Sequence, residues 1–441
     1  MAGTSHAGLG SGSVARVLRG IAICVAPVLV ALYVGATTFG GGTATPWRPI
    51  MVDLDVYRLA GSVLLSGGNF YDLPGPLQFL YPPFAAVLAV PLALLPQVVV
   101  QIGWTAAGAL ALVAVLHRSG LTGWVLSLVA TVAIFFVQPV LQTLAFGQLG
   151  IFLVALVFLD LVPGPRVFRR RLLPEGALTA LAAAIKLTPA IFVVYLLLVG
   201  KRRAFWVAVG TGLLVTLASA AVVPSASYEF WSRLVRGDTG LGGSIIYYTN
   251  QSVMADVVRI FGLGRGAAVA GLAGCALVAL GGLWAAVLWH RLGDVRLAVT
   301  LCGLAGLLAS PVSWLHHFVW VVPFAVCLAD GFRPASRPVD DRIAPPAVLP
   351  AGFLALGWVF VGWVTAAPFR RLPNGGDVEL EWSWSQHLLA SVTAILGAAV
   401  LIAAIFIARR RRGSTSAANP AATSVPGLVG EKADHQGRPP E

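Results

Sequence analysis

Apolar runs of roughly 20 residues, the length an α-helix needs to cross the hydrocarbon core of a bilayer, recur from Ile21 to Ile407 with only short loops between them. Inside such a run the backbone finds no water to bond, which leaves helices or a closed barrel. The runs are continuous and do not alternate, so the barrel is excluded. Charged residues make up 11% of the chain, against about a quarter in an ordinary soluble domain. The expected fold is an all-α polytopic membrane bundle of about 10–12 segments.

Positive-inside reasoning orders the segments. Residues 1–20 are Gly/Ser-rich, carry Arg16 and Arg19, and are read as a cytoplasmic N-terminal segment. The run 21–39 exceeds the apolar core of a signal peptide and is read as an uncleaved first helix. The first outer loop then covers about residues 40–80. Spans are expected near 98–116, 121–137, 150–162, 205–222, 267–289, 298–308, 319–328, 348–365 and 388–407. Cytoplasmic basic groups are expected at Arg118, at Arg166, Arg169, Arg170 and Arg171, at Lys201, Arg202 and Arg203, at Arg291 and Arg296, at Arg333, Arg337 and Arg342, and at Arg409–Arg412 within a disordered tail 408–441. The parity requires 81–96 to be re-entrant or surface-lying. The run 176–200, interrupted by Lys186-Leu187-Thr188-Pro189, reads as a broken helix or hairpin.

The net charge of +12 is spread over these loops and forms no continuous basic face. Topology and anionic headgroups account for it, and nucleic acid is not an expected partner. Cys24, Cys275, Cys302 and Cys327 lie in apolar runs without CxxC spacing, so neither a disulfide framework nor a zinc site is indicated.

The polar chemistry falls on one face. Asp53 and Asp55 follow the first helix in a stretch rich in aromatic, Pro and Gly residues, and Gln148, Asn250-Gln251-Ser252 and SPVSWLHHFVW with Trp314, His316 and His317 share their side. A transporter would place ionisable groups near the midplane on related halves, and no convincing internal repeat is present. For Asp53 two readings stand open, a catalytic base and an N-cap for DVYRLAGSVLL. Asp55 reads as a surface charge pairing with Arg58 at i+3, and Tyr71 and Tyr81 as headgroup-level anchors. On a helix, His316 and His317 would point about 100° apart, which ill suits a shared metal, yet an imidazole can stabilise a phosphate or relay a proton. Lys186 needs an anionic partner if buried, or else snorkels to an interface.

The ordered array DLDVYRLAG, YDL, FLYPPF, FGQLGIFL, IKLTPAIF, NQSV and SPVSWLHHFVWVVP, over about residues 53–323, resembles the polyprenol-phosphate-mannose-dependent α-mannosyltransferases of glycosyltransferase family 87. Two positions depart from that pattern: Gly150, where the family more often has Asn, and Leu315, where it more often has an acidic residue. The resemblance implies a GT-C-type bundle with a functional first outer loop and no cofactor or metal. It also implies transfer of mannose, with inversion, from polyprenyl-phosphate-mannose to a hydroxyl of a glycolipid or lipoglycan acceptor at the outer face of the plasma membrane. With those motifs as guide, Asp53, His316 and His317 are the catalytic candidates. Asp55, Tyr57, Tyr81, Gln148, Lys186, Asn250, Gln251 and Trp314 are the substrate-binding ones. A related enzyme using another polyprenyl-phosphate sugar, such as arabinofuranose, is the alternative, and a transporter or flippase a third reading.

Overall fold

The structure is a computed structural model that describes residues 11–165, 171–237, 245–331 and 348–417. The N-terminal ten residues, the tail from 418 and the expected basic positions Arg166, Arg169, Arg170, Arg333, Arg337 and Arg342 lie outside the described residues. In chain order the helices are α1 (Ser11–Thr37), α2 (Val52–Leu65), α3 (Pro83–Leu94), α4 (Gln97–Arg118), α5 (Gly123–Phe136), α6 (Gln138–Phe146), α7 (Gly150–Leu161), α8 (Ala177–Ile185), α9 (Ile191–Leu198), α10 (Arg202–Val222), α11 (Pro224–Val235), α12 (Val253–Phe261), α13 (Arg265–Arg291), α14 (Val295–Ala309), α15 (Val321–Asp330), α16 (Ala351–Ala366) and α17 (Trp384–Ala417). Short 3-10 turns join several of them, and no strand forms among the described residues beyond isolated bridges.

This is an all-α polytopic membrane protein. By length and apolarity six helices can cross a bilayer, or seven if α5 and α6, bent by 76° at their junction, are taken as one span. Shorter apolar helices complete the bundle, so the expected 10–12 segments are not all full-length crossings. The expected spans agree closely with α1, α4, α5, α7, α10 and α13–α17, although α17 runs on past Ile407 through Arg409–Arg412 to Ala417. The interrupted run 176–200 is α8, a break at Lys186 and Leu187, a turn at Thr188–Ala190, and then α9.

The first long loop, expected on the outer face, builds a small core of its own. Leu54, Tyr57, Ala60 and Gly61 fall on the buried face of α2 at helical spacing, and they pack with Phe70, Tyr71, Phe79, Ala86 and Ala89. A Cβ at Gly61 would stand 2.7 Å from the Ala89 carbonyl oxygen, so α2 and α3 cross at backbone contact. Arg58 donates to the Leu92 and Leu95 carbonyls at 3.0 and 2.9 Å, supplying donors to the C-terminal carbonyls of α3 that lack intrahelical partners. Asp55 still feels the Arg58 charge, as the i+3 spacing suggests, while its own hydrogen bond comes from Gln97 at 3.2 Å. The 12 residues of α3 rise only about 18 Å, short of the roughly 30 Å hydrocarbon core. Packed on α2, α3 belongs to the same small core as that loop.

Candidate active site

Asp53 lies in the first turn of α2, one residue past its start. The N-cap position is occupied by Met51, so the capping reading of Asp53 does not hold. Met51 is fully buried, has left-handed backbone angles of φ 41° and ψ 44°, and donates its N–H to the Ala145 carbonyl at 3.0 Å. A non-glycine residue held there costs on the order of 1–3 kcal/mol, and the cost is borne where α2 must enter at a fixed angle against the end of α6. Gly147 makes the same junction from the other side. Its φ is +69°, and a Cβ on it would come within 2.6 Å of the Leu54 Cβ. Only glycine satisfies both conditions at low cost.

That junction brings Gln148 to Asp53. The Gln148 side chain lies close enough to the Asp53 carboxyl to favour its charged form, and its Oε1 accepts from the Tyr57 hydroxyl at 3.2 Å. Tyr57 in turn shares a 3.0 Å hydrogen bond with the Tyr81 hydroxyl, and the Lys186 ammonium lies 5.2 Å from the Tyr81 ring centroid. Lys186 Nζ is 2.8 Å from His317 Nε2. His317 Nδ1 accepts from the Trp314 N–H at 3.2 Å. The His316 and His317 rings are perpendicular, with centroids 4.6 Å apart, and His316 is edge-on to Phe146. One continuous constellation thus runs from Asp53 through Gln148, Tyr57, Tyr81 and Lys186 to His317 and His316. Its members come from α2, the α6–α7 turn, the entry to α3, the α8–α9 break and the turn before α15.

Partial burial pushes the Asp53 carboxyl up to about 6, against a smaller downward pull from the Gln148 side chain and the Lys186 charge. A carboxyl with a pKa near 6 is largely ionised at neutral pH, yet holds a proton far better than an exposed one. That is the condition a general base requires. At the other end, Lys186 and the imidazoles form a donor group without a carboxylate in hydrogen-bond contact among the described residues. His316 Nε2 is buried with no partner, an expensive arrangement unless a ligand supplies one.

The remaining candidates do not join the constellation. Asp55 stands two residues further along α2, about 200° around the helix from Asp53, exposed and bonded to Gln97. Asn250 and Gln251 are 0% and 1% exposed, with their side-chain amides engaged by protein groups. Trp314 packs edge-on to Tyr247 and contributes its backbone N–H to His317. None of these four side chains joins the Asp53–His317 constellation in this structure. Sequence reasoning missed α6 and its Thr143, whose hydroxyl donates to the His316 carbonyl at 2.9 Å. A signal existed in the Pro139 that opens the helix and the Gly147 that closes it, the usual asymmetry of helix ends.

An apolar groove of roughly 260 Å³ adjoins the constellation. Pro82, Pro83, Ala184, Leu187, Gly212 and Trp231 are among its lining, so its inner end is formed by the chain neighbours of Tyr81 and Lys186. On its outer side α10 exposes Leu213, Leu214 and Leu217.

Ionisable groups gathered in one constellation within a helical membrane bundle, with an apolar groove beside them, suit a substrate part polar and part lipid. The chain belongs to glycosyltransferase family 87, whose profile matches residues 79–311. It is 30% identical over 335 residues to the polyprenol-phosphate-mannose-dependent alpha-(1-2)-phosphatidylinositol mannoside mannosyltransferase of Mycobacterium tuberculosis, covering 70% of this chain and 76% of that one. The protein of the same name from Mycolicibacterium smegmatis is 31% identical over 66% of this chain and 74% of its own. A polyprenol-phosphate-mannose-dependent alpha-(1-2)-phosphatidylinositol pentamannoside mannosyltransferase of M. tuberculosis is 34% identical over 65% of this chain and 68% of its own. No solved structure gives a significant match.

Proposed function

We propose that this protein transfers mannose from polyprenyl-phosphate-mannose to a hydroxyl of a lipid-linked acceptor of the phosphatidylinositol mannoside or lipomannan type, with inversion, at the extracytoplasmic face of the plasma membrane. The observation that carries the reading is the linkage of Asp53, through Gln148 and the two tyrosines, to the Lys186–His317 pair. The names and extent of the relatives supply the donor and acceptor class.

Each part then has a chemical task. The acceptor hydroxyl is a poor nucleophile until its proton moves to the Asp53 carboxylate. Its oxygen attacks the anomeric carbon in line with the departing phosphate. The C1–O bond breaks with its electron pair going to the phosphate oxygen, and a β-linked mannosyl phosphate becomes an α-mannoside. The leaving group passes from a phosphodiester to a phosphate monoester, so negative charge grows on oxygen. Lys186 and the unpaired His316 Nε2 are the donors aimed at it, and His317, whose Nδ1 accepts from the Trp314 N–H, steadies the Lys186 nitrogen through Nε2. The first isoprene units of the donor lie in the apolar groove between α3, α8, α10 and α11.

The test is transfer of labelled mannose from polyprenyl-phosphate-mannose to phosphatidylinositol mannosides in membranes carrying the wild type or Asp53→Asn. The wild type should form labelled product, and the variant should lose about 10²- to 10⁴-fold in rate, the usual contribution of a general base. Wild-type transfer that requires a different polyprenyl-phosphate sugar would move the assignment to that donor. Near-normal turnover by the variant would remove Asp53 from the mechanism.

A further inference from the structure

We infer that Asn250 is a positioning residue that sets the orientation of His317 toward the donor phosphate; the inference rests on the reading of the Lys186–His317 pair as the phosphate-facing group. The Asn250 side chain is fully buried and all four of its hydrogen-bonding positions are used. Nδ2 donates to the Ile245 carbonyl at 2.9 Å and the Pro311 carbonyl at 3.3 Å. Oδ1 accepts from the Ser313 N–H at 2.9 Å and the Ser252 N–H at 3.3 Å. A saturated amide has nothing left for a sugar or a phosphate, so any contribution to the reaction passes through the segment it holds.

That segment leads directly to the imidazole. Residue 250 pairs with Trp314 in an antiparallel bridge, the Gln251 N–H donates to the Ser313 carbonyl at 2.8 Å, and the Ser252 hydroxyl donates to the Pro311 carbonyl at 2.9 Å. The Ser313 hydroxyl adds a bond to the Leu307 carbonyl at 2.6 Å. The Pro311–Trp314 strand is therefore fixed from one side by residues 250–252 and from the other by the end of α14. The segment so held delivers the Trp314 N–H, which bonds His317 Nδ1 at 3.2 Å. With Nδ1 engaged, the ring presents Nε2 to Lys186. Thr143 holds the neighbouring His316 carbonyl from α6, so the loop cannot relax as a body to compensate for a lost clasp.

Displacing a catalytic group by about 1 Å can cost on the order of 10²-fold in rate. Asn250→Ala in the full-length protein is therefore expected to lower kcat/KM for polyprenyl-phosphate-mannose about 10- to 100-fold, to leave the acceptor KM within about threefold, and to weaken direct binding of polyprenyl phosphate comparably. In a His317→Ala background the same change should add less than about twofold, because the ring it orients is gone. If Asn250→Ala costs as much without His317 as with it, or acts on the acceptor KM alone, the positioning role is wrong. If His317→Ala itself leaves polyprenyl phosphate binding unchanged, the phosphate reading of the site fails instead. Should Asn250→Ala not accumulate, Ser252→Ala removes the bond to Pro311 together with the cap on the Ala255 N–H and runs the same cycle with an expected effect of about threefold. Additivity there would overturn the inference equally.

Discussion

At the residue scale the acid at position 53 ties activity and stability to the same proton. Its carboxyl is raised from 3.8 in an unfolded chain to about 6 in the fold, so folding favours the protonated form. The relative stabilisation is fully present below the unfolded value and is lost as pH rises through about 6. Catalysis runs the opposite way, since the base must be ionised. The rate is therefore expected to fall as pH drops through about 6, with a single-proton slope in kcat/KM, and a profile flat down to pH 5 would contradict it. Asp53→Asn should be at least as stable as the wild type at pH 7.5, gaining up to about 2 kcal/mol in apparent stability while losing turnover. A large drop in melting temperature would mean that the carboxylate is structural. The identities of Asp53, Lys186, His316 and His317 were legible in the sequence because an ionisable residue in so apolar a chain demands a reason. Their partners were less so. Nothing local marks Asn250 as a staple of a loop about sixty residues away, and Asp55 next to Arg58 looks like an ion pair until the α3 carbonyls take the guanidinium. The departure at Leu315 has a plain physical setting. The side chain is 1% exposed in the main core, where an unpaired carboxylate would be costly. At Gly150 a Cβ would stand 3.3 Å from the His316 carbonyl, so the absence of a side chain lets the imidazole loop settle closely on α7.

At the element scale, breaks in helices do the placing. Lys186 sits in extended backbone at the end of α8, and the turn at Thr188–Ala190 restarts the helix in a new direction, so the ammonium reaches His317 while the flanking half-helices keep their apolar contacts. The sequence announced this break through Pro189 between two apolar runs, just as it announced most spans by length. It announced α6 only through Pro139 and Gly147 at its ends, and α12 more faintly still, helices of 9 residues each, because segments this short owe their existence to tertiary packing. The groove beside α10 allows a test that leaves the charged groups alone. A Cβ at Gly212 meets nothing within 4 Å, so Gly212→Phe should fold normally while filling the groove. The donor KM should rise about tenfold, the equivalent of two or so methylene contacts, with the acceptor KM unchanged. Equal effects on both substrates would place the polyprenyl chain elsewhere.

For the whole molecule, the sidedness of the bundle is the property on which the reading depends. Arg291 ends α13 and Arg409–Arg412 lie near the end of α17, expected on the inner face, and the Asp53 constellation draws on α2, the α6–α7 turn and the α8–α9 break. Single cysteines at Asp72 and Glu381, both exposed, should react with a membrane-impermeant maleimide added to intact cells. One at Arg291, also exposed, should react only after permeabilisation. Reversal of that pattern would put the chamber in the cytoplasm and sink the outer-face assignment. Of the native cysteines, Cys275, Cys302 and Cys327 are buried and Cys24 is half-buried in α1, so background labelling should be low.

The reactive groups are gathered from residues 53, 148, 186 and 317, and this spacing bears on how the protein is made. The acid and the amine leave the ribosome long before either imidazole exists, so for much of synthesis each is a charge in or near lipid without its final companions. Their mutual attraction is the interim remedy. The two groups act on each other's charge in the finished fold, and that pairing needs nothing from the residues made last.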